Sequence, residues 1–424
     1  MDRTFLAFRC CSLVWMLAIS GQLRGQTTDN SGLVSMFLEE VATQTGIPVQ
    51  WLVQKHKIQV SYVQVNRNSQ GYPDFSSHNF NVTDTYFNPA SMVKYPLILL
   101  TLEKIRDLQV DSLTLETCFK IRNTAPCANT HAFTPLGPEG CPCLANEIRK
   151  ILLVSDNDAY NTLFDFLGLG EINRNLRQKG FDRTKIIRRF LSCSMPDNLI
   201  SNPFWFYDAQ GREIYHQPGL TDSDNKWFDV PGSLMGKGHF DNQVLVNAPK
   251  DFRNSNYMSM EDGMDMLMRL ICPEAYSEEL RWKLSPNDRD FMLNYMSMLP
   301  RESQYSKYRN SSQYPDNYKK LLVHGDAWNG IQNADIEVFN FAGYAHGFMS
   351  DLAYVVDTDR CIEFFLGCTL YVNENDIFDG EYEFDEVARP VMGALGRVVL
   401  DHESNRFKEF YPNLMGLNSI LQHP

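Results

Sequence analysis

Ser91 and Lys94, three residues apart in "NPASMVKYPLILL", bring together a hydroxyl and an amine that could act as a nucleophile and its base. The spacing alone is weak, because residue frequencies produce about one or two such pairs by chance in a chain this long. A second copy, Ser223 to Lys226, lies in the polar "GLTDSDNKWFD", where no apolar period fixes a side chain, and it reads as a turn. Ser91 differs in context. It opens an apolar run with helical spacing, so Lys94 falls one turn along on the same face, and the amides and dipole of a helix start favour negative charge developing near the hydroxyl. A lysine held there with little water can lose its proton and act as base. The plainer alternative is a helix start carrying one solvated lysine.

A second hydroxyl and an amide occur together at Ser155-Asp156-Asn157, between the apolar "ILLV" and the helical "DAYNTLFDFLG". The elements that must position these groups follow from periodicity. "SGLVSMFLEEVATQTG" is spaced as a helix with Ser31 as cap and Gly46 as stop, and "KIQVSYVQVNR" alternates as a strand. Ser91 to Leu108 reads as a buried helix, and "LANEIRKILLVSDNDAYNTLFDFLG" as two helical pieces broken at Ser155. Residues 185 to 250 are rich in Pro, Gly, Asn and aromatics and read as loops. Helical spacing returns at "MSMEDGMDMLMRLICPE". Strands "ADIEVFNFAG", "HGFMSDLAYVVD" and "CIEFFLGCTLYVN" then precede a helix, "FDEVARPVMGALGRVVLDH". Strands near both ends around a helical middle predict a sheet that closes by bringing the ends together.

An SxxK helix, an SDN junction and a late strand with Gly343, in that order around a helical insertion, resemble the serine β-lactamase and penicillin-binding family, class A most closely. The resemblance spans about 32 to 402 and rests on "NPASMVKYPLILLTLEKI", "LLVSDNDAYNTLFDFLG" and "FNFAGYAHGFMSDLAYVVD". It implies an α/β (α+β sandwich) fold: an antiparallel sheet from about 32–90 and 330–402 with a helical, loop-rich lobe at about 91–329. It also implies roles. Ser91 would be acylated, Lys94 would be base or proton relay, and Ser155 would pass a proton to the leaving nitrogen. Asn157 would hold the substrate amide and Lys94, and the backbone N–H groups of Ser91 and Tyr344 would form the oxyanion hole.

Two departures from the family pattern bear on substrate and turnover. The strand's Lys-Thr/Ser-Gly falls at Phe341-Ala342-Gly343, without the cation and hydroxyl that grip a substrate carboxylate, which points towards uncharged acyl donors. His346 is either a replacement donor or a structural histidine. The glutamate that serves deacylation has its nearest counterpart in Asp197 of "RRFLSCSMPDNLISNP", which either positions water or caps the turn after Pro196. The implied activity is hydrolysis of a β-lactam or a related amide or ester, with an impaired binder or a neutral-donor amidase or esterase as alternatives. No cofactor or metal is implied.

Composition narrows partners and compartment. The chain has 424 residues, 43% of them hydrophobic, and a net charge of −13 without a basic stripe, which argues against nucleic acid. Residues 1–20 carry Arg3 and Arg9, an apolar run of about ten residues and a small-x-small site, as a secretory signal does. No stretch is long and apolar enough to span a bilayer. An exported monomer, periplasmic or extracellular, is expected. An even cysteine count in an exported chain permits disulfides, and Cys118, Cys127, Cys141 and Cys143 crowd a loop-rich segment that would gain from them. Zinc is disfavoured, since no paired CxxC motifs occur and His131 is the only imidazole nearby.

Overall fold

A computed structural model describes residues 32–122, 125–127, 141–223, 227–333, 335–414, 416–417 and 421. The proposed signal at 1–20, Ser31, His131 and most of the second SxxK copy lie outside these residues. Five antiparallel strands form the main sheet: β1 (Gln59–Arg67), β2 (Pro73–Phe80), β3 (Ile336–Ala345), β4 (Phe348–Asp357) and β5 (Ile362–Tyr371), in the order β3-β4-β5-β1-β2. The ends of the chain do meet, with β1 paired to β5 in a register that sets Gln59 opposite Thr369.

The central strands β4 and β5 are buried along their whole length, so their side chains alternate between two apolar layers. Met349, Ala353, Phe364 and Leu366 face one layer, built with α1 (Gly32–Thr45) and the C-terminal helix Arg389–Asn405. Leu352, Tyr354 and Phe365 face the other, which is continuous with the helical lobe. Strand β2 was not legible from alternation. Its Asp74, Ser76, Ser77, His78 and Asn79 carry no apolar face, and it occupies a sheet edge, where Pro73 at its start removes no ladder hydrogen bond.

The helical lobe contains α2 (Lys94–Leu108), α3 (Leu144–Val154) and α4 (Asn157–Leu167). In α2, every residue from Lys94 to Glu103 is buried. Among its described residues, 185–250 holds loops with short strands such as Phe204–Tyr207 and Glu213–Gln217 and one short helix, Met195–Asn198. Two disulfides, Cys118–Cys141 and Cys127–Cys193, cross-link this lobe, while Cys143, Cys272, Cys361 and Cys368 are free. Three of the four clustered cysteines are therefore bridged, one of them to the distant Cys193. No helix among the described residues is long and apolar enough to cross a membrane.

Candidate active site

Ser91 does not begin the α-helix directly. It lies half-buried in a tight 3-10 turn, Ala90–Val93, that leads into α2 at Lys94. Ala90 takes a φ of +46°, a left-handed conformation disfavoured for a residue with a Cβ. It is held there by Asn88, whose Oδ1 accepts from Ala90 N at 2.8 Å, and by the bond from Met92 N to Pro89 O at 2.9 Å. Backbone held this way beside a nucleophile candidate is the kind of strain that concentrates at functional sites.

The break between α3 and α4 presents the second group. Ser155 ends α3 in a left-handed conformation, φ 58°, and the Asp156 carboxylate caps α4 by accepting from Ala159 N at 2.9 Å. That geometry aims Ser155 and Asn157 at one point, occupied by the Lys94 amine. Lys94 Nζ donates to Ser155 O, to Ser155 Oγ at 3.1 Å and to Asn157 Oδ1 at 2.6 Å. The lysine is wholly buried, and this burial pulls its pKa down to about 7, against the opposing pull of Asp156 and Asp158. Lys94 is thus poised to shed its proton near neutrality.

Gly343 closes the other side. A Cβ placed on it would lie 2.5 Å from Ser91 N and 2.7 Å from Pro89 O, so the edge strand β3 reaches the Ser91 turn only because residue 343 has no side chain. Tyr344 follows, about 38% exposed, with its side chain hydrogen-bonded to Tyr318.

Other predicted residues are placed differently. Phe341 and Ala342 do not line the site: Phe341 is fully buried and stacks on Tyr95 at 4.1 Å, and Ala342 points into the opposite apolar layer. Period two puts Phe341 on the same face of β3 as Gly343, where its ring is taken up by Tyr95, and Ala342 on the other face. His346 belongs to the β3–β4 turn at φ 52°, its ring 5.4 Å from that of Phe252 and 6.2 Å from that of Phe378. Burial, with Lys250 and Arg188 adding, lowers its pKa to about 4, which disfavours its cationic form.

Asp197 is engaged in its own turn, where Ser194 Oγ donates to its carboxylate at 2.6 Å and accepts from its backbone N–H at 3.3 Å. The residue of this loop that covers the lysine is Phe190. Its ring lies 4.8 Å from Lys94 Nζ and 4.6 Å from the Tyr160 ring. A buried ion pair between Arg189 and Asp165 ties the loop down, and Asn202 Nδ2 donates to the same carboxylate at 2.9 Å.

One group escaped sequence reasoning. Lys319, buried beneath the Tyr95 ring at 5.5 Å, donates to the carbonyl of Leu152, one turn before Ser155. A second buried lysine thus stands near Lys94, its pKa pushed well below the ordinary lysine value by burial first, then by Lys320 and Lys94. "NYKKLLVHG" has no periodicity that would have flagged it; only its place in space does. Among the described residues no cluster could hold a metal ion.

A search of curated protein sequences finds no match. Among solved structures the chain is similar to an ancestral class A β-lactamase, at 15% identity over 87% of this chain and 99% of that one, with a TM-score of 0.46. It is also similar to a β-lactamase from Desulfarculus baarsii, at 14% identity over 87% and 97% of the two chains with a TM-score of 0.47. A class A β-lactamase from Mycobacterium abscessus gives 16% identity, 86% and 97% coverage and a TM-score of 0.45. The decisive match is to a family model described as the β-lactamase enzyme family, over residues 49–401. Extending from β1 to the last helix and including every residue around Lys94, it makes this chain a member of that family.

Proposed function

We propose that the protein is an exported serine hydrolase whose catalytic unit spans about 32–402 and which cleaves a β-lactam, or a related amide or ester, through an acyl-enzyme on Ser91. The observation that carries this is the buried Lys94 amine held by Ser155 and Asn157, a base with a pKa of about 7 one turn from a half-buried serine. In this reading Lys94 takes the Ser91 proton. Oγ attacks the carbonyl carbon, the oxyanion rests on the N–H groups of Ser91 and Tyr344, and Ser155 returns the proton to the leaving nitrogen. Export is supported by the two disulfides, which persist in oxidising compartments.

The test is intact mass after exposure, separately, to a penicillin, a neutral activated ester and a fluorophosphonate. A stoichiometric adduct that maps to Ser91 and vanishes in Ser91→Ala supports the reading; no adduct with any of the three refutes it. A second reading, an acyl-enzyme that forms and persists, is favoured by one feature. The loop sets Phe190 against Lys94, while the Asp197 carboxylate is occupied by Ser194. Adduct decay over hours instead of seconds would select it.

A further inference from the structure

A cleft of about 630 Å³ opens away from Ser91, between strands β1, β3 and β4 and the segment 269–293, with Leu414 and Leu417 along one rim. Its walls are apolar and aromatic, formed by Trp282, Phe339, Tyr354 and Leu293. Its polar lining is unusual in sign. Arg67 and Arg269 are accounted for, the first by Glu363 and Glu274 and the second by Asp265. Arg281 and Arg289 are not. Arg281 Nε donates to Tyr276 O at 2.9 Å, and Arg289 donates to Leu270 O at 2.9 Å and Ile271 O at 2.6 Å, so among the described residues both hydrogen-bond only to main-chain carbonyls. Among the described residues Asp290 is the one lining carboxylate without an ion pair, so the described lining carries two guanidinium groups without a carboxylate partner against one acid. A third cue is a buried donor: Arg269, only 6% exposed, has an Nε with no hydrogen-bond partner.

We infer that this cleft is a second ligand site, separate from the acyl site, for a small amphipathic anion: a carboxylate, sulfonate or phosphate on an aromatic or branched apolar body. The volume falls in the range of small-molecule pockets, and apolar walls with a few converging polar groups are what such pockets present. Guanidinium forks with unused donors match planar or tetrahedral oxyanions, and a partly desolvated site strengthens each contact. A cation of the same shape would meet like charge.

The experiment is calorimetric titration of the full chain with naphthalene-1-sulfonate and, in parallel, with 1-naphthylmethylammonium. The sulfonate is expected to bind and the ammonium not. Pre-labelling Ser91 with a fluorophosphonate is expected to leave the sulfonate affinity unchanged, and if Ser91 accepts no label, titration of Ser91→Ala stands in its place. Arg281→Gln with Arg289→Gln should weaken the sulfonate by about tenfold or more, the size of one charge-assisted hydrogen bond. Leu414→Trp, which fills the rim and keeps every charge, should weaken it too and decides the matter if the arginine variant fails to fold. The inference is overturned if the sulfonate does not bind at millimolar concentration, if the ammonium binds equally well, if modification of Ser91 removes binding, or if affinity survives in the folded variants.

Discussion

At the scale of single residues, the Lys94 amine makes the sharpest claims. If its neutral form is the base, the second-order rate of Ser91 acylation should fall about tenfold per pH unit below the lysine's pKa of about 7 and level off above it, as seen by stopped-flow acylation across pH. The same burial has a thermodynamic sign. Between about 7 and the ordinary lysine value of 10.5 the unfolded chain holds the proton and the folded chain does not, so this group makes stability rise with pH through that window. Lys94→Met removes the buried amine. It should stabilise the fold relative to wild type at pH 6, with the difference closing towards pH 10; urea midpoints at several pH values measure this. Ser91 and Lys94 were legible because an apolar helix framed them. The burial of Phe341 against Tyr95 was not legible because a motif position gives no side-chain direction, and Lys319 was missed because a buried lysine in an aperiodic segment looks like any surface lysine.

At the scale of elements, the contact between β3 and the Ser91 turn governs the site. Gly343→Ala would drive a methyl into Ser91 N and Pro89 O, main-chain atoms that cannot swing aside. The expected result is a loss of about 1–3 kcal/mol in stability from overpacking. Acylation should slow by about a hundredfold as the turn shifts, which adduct kinetics and urea titration read separately. Phe341→Lys tests the corrected placement. Were the side chain in the cleft, the change would favour carboxylate-bearing donors. Stacked on Tyr95 with Lys319 beyond the ring, a lysine instead buries an unpaired charge and should cost at least about 3 kcal/mol. An equally stable variant with faster β-lactam turnover would sink this reading. Elements with apolar periodicity, such as β1, α2 and the helices flanking Ser155, could be read directly. The polar edge strand β2 could not, nor could the tyrosines of 305–318 packed beside Ser155, because their order comes from tertiary packing and not from local pattern.

At the scale of the whole molecule, the Cys127–Cys193 bond joins the loop that carries Phe190 and Arg189 to a segment 66 residues earlier. Closing a loop of that length stabilises by about 4 kcal/mol in the chain-entropy model. Cys127→Ser with Cys193→Ser should therefore lower the thermal midpoint by several degrees. It should also loosen Phe190 over Lys94, visible as faster decay of a Ser91 adduct if the aromatic lid is what slows water. Sequence spacing could not give this pairing, since eight cysteines remain after the proposed signal and their partners are set by the fold.

The pairing of β1 with β5 carries a consequence for how the protein is made. The central strand partner of Gln59 is Thr369, so a ribosome must finish most of the chain before the full sheet can form, and every earlier intermediate holds β1 with at most β2 beside it. Such a high contact order makes folding slow and late. It also leaves a long interval in which the apolar edge of β1 that β5 will cover can aggregate.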